Sequence, residues 1–178
     1  MANVVTNSIT VENCNEELSN FLESFFKFDK DDKIDFGLIK KLFDDAPEDL
    51  NYGWMDDNCG SKWIVYGSAD KIGSNYQIYL ESAWTAPVGW FQKFADKLQT
   101  IQPDVIVYDK YTDEAYNSAG VLFIAQSFVE HLEEDMEEWD IDRLNDGDEE
   151  YTEEFHGVML DNLHTLKEDY EDSLNTEE

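Results

Sequence analysis

The sequence predicts an α+β fold, with antiparallel strands arranged in hairpins, helices packed on one face, and an acidic helical extension after them. Three observations lead there. Short alternating runs rich in Val, Ile, Thr and Tyr are separated by turn residues, with two amphipathic helical patterns interleaved. Aromatic residues make up 14% of the 178 residues, including 5 Trp and 11 Phe, whereas disordered acidic chains are poor in them. The charge is also uneven. Residues 128–178 hold 21 acids against 2 bases, while residues 1–127 hold 21 acids and 10 bases. The expected organisation is a folded unit at 1–125 and an acidic helical extension at 126–178, packed on or beside it.

Val4 to Val11 alternates and predicts a first strand, with Val5, Ile9 and Val11 on one face. Asn13 or Asn15 can cap the helix that follows. Leu18, Phe21, Leu22 and Phe25 fall at i, i+3, i+4 and i+7, which makes a buried stripe. The charged run Phe28–Asp35 has the flavour of a calcium loop but fails its pattern. Lys33 and Ile34 stand where an acid and the turn glycine belong, and Lys40 replaces the closing Glu. Asp35 is placed to cap a short helix from Phe36 to Phe43. Trp54–Gly60 predicts a loop from its Asp, Asn and Gly content.

Lys62–Ser68 predicts a strand, Asp70–Asn75 a hairpin turn, and Tyr76–Trp84 a second strand with Tyr76, Ile78, Leu80 and Trp84 on one face. Pro87 opens a helix. Phe91, Phe94, Ala95, Leu98 and Ile101 form its stripe, and Pro103 ends it. Asp104–Tyr111 predicts a further strand and Val121–Ala125 an edge strand. Beyond Gln126 the spacing of Phe128, Leu132, Met136 and Trp139 predicts a helix. Asn145-Asp146-Gly147 breaks it. A long helix follows from Glu149, with Phe155, Met159, Asn162, Leu163, Leu166 and Tyr170 along one side.

Residues 1–125 resemble the YubB-type ferredoxin-like family, small proteins carried mainly by phages and plasmids. The resemblance rests on the opening MANVVTNSITVEN with the helix EELSNFLESF, on DFGLIKKL, and on two more specific elements. DNCGSKW at Asp57–Trp63 is similar to the family's Asn-Trp-Gly-Thr-Lys-Trp signature. ESAWTAPVGWFQKFADKL at Glu81–Leu98 is similar to its Ala-Trp-Ser-Pro-Pro step. Cys59, Ser61 and Ala86 depart from those patterns. The resemblance implies a ferredoxin-like sheet and a mobile-element origin. It implies no reaction, and it does not cover the acidic part.

The net charge of −30 disfavours direct binding to nucleic acid or to an anionic membrane, since both require a basic surface. Two cysteines and no leader pattern predict a reducing, cytoplasmic setting, the host cytoplasm if a phage encodes the chain. His131, His156 and His164 form no zinc motif, and neither a nucleophile elbow nor a phosphate loop is present. No catalytic residue, metal or cofactor is expected. Carboxylates could hold Mg2+, but such sites also need positive charge to receive a phosphate-bearing substrate. Trp63 and Trp84 are expected to pack the sheet, and Lys62 to cap loop carbonyls or pair with Asp56 or Asp57.

The remaining chemistry is a dense array of acids. Glu130, Glu133, Glu134, Asp135, Glu137 and Glu138 would span about 12 Å if helical. A DNA duplex of that length carries about seven phosphate charges. With Trp139, Asp140, Asp142, Asp146, Asp148, Glu149, Glu150, Glu153 and Glu154 they form the expected partner-binding set. The expected partner is a basic host protein that handles or defends against nucleic acid, with the acids standing in for phosphates. The competing expectation is an interaction or oligomerisation module whose acids only keep it in solution.

Overall fold

Val4–Glu12 forms β1, near the middle of a six-stranded, wholly antiparallel sheet. The computed structural model describes residues 3–28 and 34–176. The Asp29–Lys33 part of the rejected calcium loop, and the side chain of the expected cap Asp35, lie outside the described residues.

After β1 come α1 (Glu16–Phe25), α2 (Ile34–Lys40) and α3 (Tyr52–Cys59). The strands β2 (Ile64–Ile72) and β3 (Asn75–Ala83) form a hairpin, followed by α4 (Val88–Gln99) and β4 (Ile106–Asp113). The chain continues with β5 (Ala119–Ala125), β6 (Phe128–Glu133), a 3-10 turn at Met136–Glu138, α5 (Ile141–Asn145) and α6 (Glu149–Thr176). The sheet order is β2-β3-β1-β4-β5-β6.

Local chemistry sets the helix boundaries. Asn15 caps α1, its Oδ1 accepting from the Leu18 N–H at 2.8 Å. The expected loop at Trp54–Gly60 is instead most of α3. Asn51 Oδ1 accepts from the Trp54 N–H at 3.0 Å, and Gly60 closes the helix at φ 78°, the left-handed conformation glycine supplies most readily. An Asn nine residues before a Gly is a helix-bounding pair that outweighs the polar Asp-Asp-Asn interior.

Two hydrophobic clusters lie on opposite faces of the sheet. The first joins Val5, Ile9 and Val11 of β1 with Ile78, Leu80, Val107, Leu122 and Ile124, under Leu18, Leu22 and Phe25 of α1 and Trp90, Phe91 and Phe94 of α4. The second joins Ala119, Val121, Phe123 and Ala125 of β5 with Phe155, Met159, Leu163, Leu166 and Tyr170 of α6. The expected stripe of the long helix is therefore the one that buries. Val121–Ala125 is not an edge strand: every residue of β5 is buried, because both faces are covered and β6 lies outside it.

Trp84 also departs from expectation. The strand stops at Ala83, and Trp84 turns to φ 70°, leaving 48% of its surface exposed. Its N–H donates to the Asn3 carbonyl at 2.9 Å, and Lys62 Nζ lies 5.7 Å from its ring centroid.

Candidate functional site

The acid-rich stretch does not form the expected helix. Phe128–Glu133 pairs with β5 over its full length, from Ala125↔Phe128 to Gly120↔Glu133. Phe128 and Leu132 are four apart, a spacing that suits a strand of period 2 as well as a helix of period 3.6. The apolar, doubly buried β5 decides between them, because its outer row of backbone groups requires a partner strand. Glu130 and Glu133 consequently point to opposite faces of the sheet, and the single compact ridge of six acids does not exist.

The expected binding residues divide into two groups. Four carboxylates are part of the architecture. Glu134 is half-buried; its Oε1 accepts from Trp139 Nε1 at 2.9 Å and its Oε2 from Asn162 Nδ2 at 3.0 Å. Asp135 Oδ1 accepts from the Glu137 N–H at 3.0 Å, and Asp140 Oδ1 caps α5 through the Arg143 N–H at 3.2 Å. Asp148 caps α6 through the Tyr151 N–H at 3.2 Å and takes two hydrogen bonds from Arg143, at 2.7 and 3.0 Å. The Arg143 guanidinium holds the Asp148 carboxyl below its ordinary range. Trp139 is half-buried, edge-on to Phe155 at 5.0 Å and to Tyr151 at 5.4 Å, so it belongs to the second core rather than to an exposed anchor.

Glu130, Glu133, Glu137, Glu138, Asp142, Asp146, Glu149, Glu150, Glu153 and Glu154 face solvent. Glu149 and Glu150 sit in the first turn of α6, where the helix dipole favours them. The helix continues the charge with Asp161, Glu168, Asp169, Glu171 and Asp172. Its one base, Lys167, is turned inward, pairing with Glu12 at 2.6 Å and lying 5.0 Å from the Tyr108 ring.

Two adjoining hollows of about 420 and 300 Å³ open where β5 and β6 meet the turn after β4. They share Ser118 and Glu133. The larger is bordered by Glu133, Glu134, Asp135 and Glu137, and the smaller by Gly60, Thr85, Val88, Tyr111 and His131. The rim of the larger hollow is therefore acidic. Among the described residues, no three His, Cys, Asp or Glu side chains are grouped to hold a metal ion.

Sequence reasoning missed the polar groups under this rim. Tyr111 on β4 and His131 on β6 share a hydrogen bond of 2.8 Å. Asp109, two residues before Tyr111, is fully buried, and neither carboxylate oxygen has a hydrogen-bond partner. Burial pushes its carboxyl up to about 8, so it is mainly neutral at pH 7. The alternation Val107-Asp109-Tyr111 in DVIVYDKY was the available signal: in a strand whose Val107 points inward, Asp109 must too. Cys59 is buried, and desolvation pushes its thiol up to about 12, which removes the thiolate a nucleophile needs.

Comparison of the chain with models of protein families, with curated proteins and with solved structures gave no match. No helix among the described residues is long and apolar enough to cross a membrane.

Proposed function

We propose that this protein is an acidic binding protein that mimics nucleic acid and occupies the basic groove of a DNA- or RNA-handling or defence protein of a host cell. One observation carries the reading: α6 is a 28-residue helix with nine acids and one inward-turned base, anchored along its other side by five buried apolar side chains. Its length is about 42 Å, over which one DNA strand carries about twelve phosphates. The charge thus approaches the density of a single nucleic-acid strand, and it sits on backbone already ordered, so little conformational entropy is lost on binding. Phage or mobile-element coding and a host-cytoplasm setting fit the same reading. So does membership of the YubB-type family.

The strand order β2-β3-β1-β4, with α1 and α4 on one face, supports a ferredoxin-like unit to which β5, β6 and the acidic helix are added. The test is capture of a basic DNA-binding protein at low salt, with duplex DNA as competitor. The wild type should release its target as salt rises and lose it to the duplex. Glu149, Glu150, Glu153 and Glu154 changed together to Gln should abolish capture while the fold stays intact, with only the small loss in melting temperature that the helix-dipole contribution of Glu149 and Glu150 implies. Unchanged capture by that variant rejects mimicry.

A second reading, an interaction module, is favoured by a different observation. Val88 and Val129 are 41% and 49% exposed on either side of a shallow cleft floored by Leu122 and Ile124. In that case the α6 acids keep the chain in solution and the partner docks at the β6 side of the sheet.

A further inference from the structure

The two edges of the sheet are unlike. The β2 edge carries an irregularity between Tyr66 and Ser68, where its register with β3 shifts, and such bulges bend an edge away from new partners. The β6 edge runs in unbroken register from Phe128 to Glu133, with no bulge, proline or lysine. The direction of its free groups follows from one bond. The Glu134 N–H donates to the Ala119 carbonyl at 2.9 Å, and backbone direction alternates along an antiparallel strand. Glu130 and Leu132 therefore bond inward to β5, while Val129, His131 and Glu133 turn their N–H and C=O groups outward.

We propose that the outer edge of β6 accepts an extended, basic segment of a partner protein as a seventh strand. Charge chooses this occupant. An added strand would lie beside Val129, His131 and Glu133 on one face and beside Phe128, Glu130 and Leu132 on the other. Apolar residues opposite Val129 and Phe128 and cationic ones opposite Glu130 and Glu133 match that surface, since cross-strand pairs of opposite charge stabilise and like charges repel. Glu137 and the acid-rimmed hollow at Glu133 continue the attraction beyond the strand's end. A second copy of this chain is the wrong occupant, because edge-to-edge pairing of β6 would bring Glu130 and Glu133 of both copies into one strand pair between two chains that each carry −30. Main-chain hydrogen bonds supply affinity in this mode, and alternate side chains supply selectivity. The inference rests on the reading above only in requiring a basic partner.

The probe is the peptide acetyl-Lys-Val-Thr-Arg-Val-Val-amide, which set antiparallel to β6 places its Lys opposite Glu133, its Arg opposite Glu130 and its last two valines opposite Val129 and Phe128; it is compared with the same peptide N-methylated at alternate residues. The unmethylated peptide should bind the full chain and slow hydrogen exchange at the Val129, His131 and Glu133 amides. Methylation of its pairing edge should weaken binding about tenfold, or roughly 1.4 kcal/mol. Val129→Pro removes an outward N–H together with the valine side chain but no hydrogen bond to β5, at a position where an edge strand tolerates proline. That variant should lose the peptide by a similar factor with its melting temperature nearly unchanged. Equal binding of the two peptides, no protection at β6, or self-association that Val129→Pro abolishes would each overturn strand addition. Failure of the mimic reading is seen separately, in the α6 Gln variant, which leaves β6 untouched.

Discussion

Tyr111 Oη and His131 Nε2 lie 2.8 Å apart, although β5 separates the strands that carry them. The bond is possible because Gly120, between them, has no side chain: a Cβ there would fall 2.6 Å from Tyr111 Oη and 2.5 Å from the Leu132 carbonyl oxygen. Gly120→Ala should therefore destabilise the protein by about 2–4 kcal/mol, since a backbone oxygen cannot step aside as a flexible side chain can. Tyr111→Phe, which keeps the ring and loses the hydroxyl, should cost only about 1 kcal/mol. Urea unfolding of the two variants distinguishes the steric effect from the hydrogen bond.

Asp109 gives stability a pH dependence of definite sign. Its carboxyl has an ordinary value of 3.8 and is pushed up to about 8 in the fold by desolvation. Below pH 4 it is protonated in both states and contributes nothing. Between about 4 and 8 the folded chain holds a proton that the unfolded chain has released, so stability falls as pH rises. Above 8 the full cost is present, on the order of 5 kcal/mol. Asp109→Asn should flatten this slope, gaining most over the wild type near pH 9 and little near pH 4. Denaturant midpoints taken across that range measure it. An unaltered slope would mean that other groups set the dependence.

Phe155 is fully buried where α6 meets β5, with Trp139 and Tyr116 edge-on at 5.0 and 5.5 Å. Phe155→Ala should cost about 3–5 kcal/mol. Thermal melting followed by Trp fluorescence reads the loss, because the indole of Trp139 loses its closest ring neighbour.

Glu134 differs from the acids around it. Its two oxygens hold Trp139 and Asn162, tying the 3-10 turn to α6. Glu134→Ala should cost about 1.5–3 kcal/mol, the range for hydrogen bonds to a charged group. Glu137→Ala, one turn away and solvent-exposed, should change stability by less than about 0.5 kcal/mol. Equal melting temperatures for the two variants would contradict the division of acids into structural and free.

Most of the fold was legible where periodicity and length agreed. The β1–α1 opening, the hairpin of β2 and β3, α4, and the long acidic helix all follow from their apolar spacing. Errors arose where one spacing served two structures. Phe128 and Leu132 suit strand or helix, and only β5's need for an outer partner, a long-range fact, selects the strand. Polar composition concealed α3, whose information lies in Asn51 and Gly60 at its ends. The candidate acids were legible as a charge density but not as individual roles. Glu134, Asp140 and Asp148 look like Glu137 or Asp142 in sequence, and only their partners separate them. Asp109 went unread because one carboxylate in a strand ordinarily marks the wet face.

The second core crosses the border between the weakly and the strongly acidic parts of the chain. Val121, Phe123 and Ala125 come from one side of it, and Phe155, Met159 and Leu163 from the other. Removing the acidic segment would thus unroof one face of β5 and strip its outer edge, so the most water-loving portion of the molecule is the lid on its greasiest strand. Excess charge here is not a detachable tail: any variation that trims it must also repaint the surface it leaves behind.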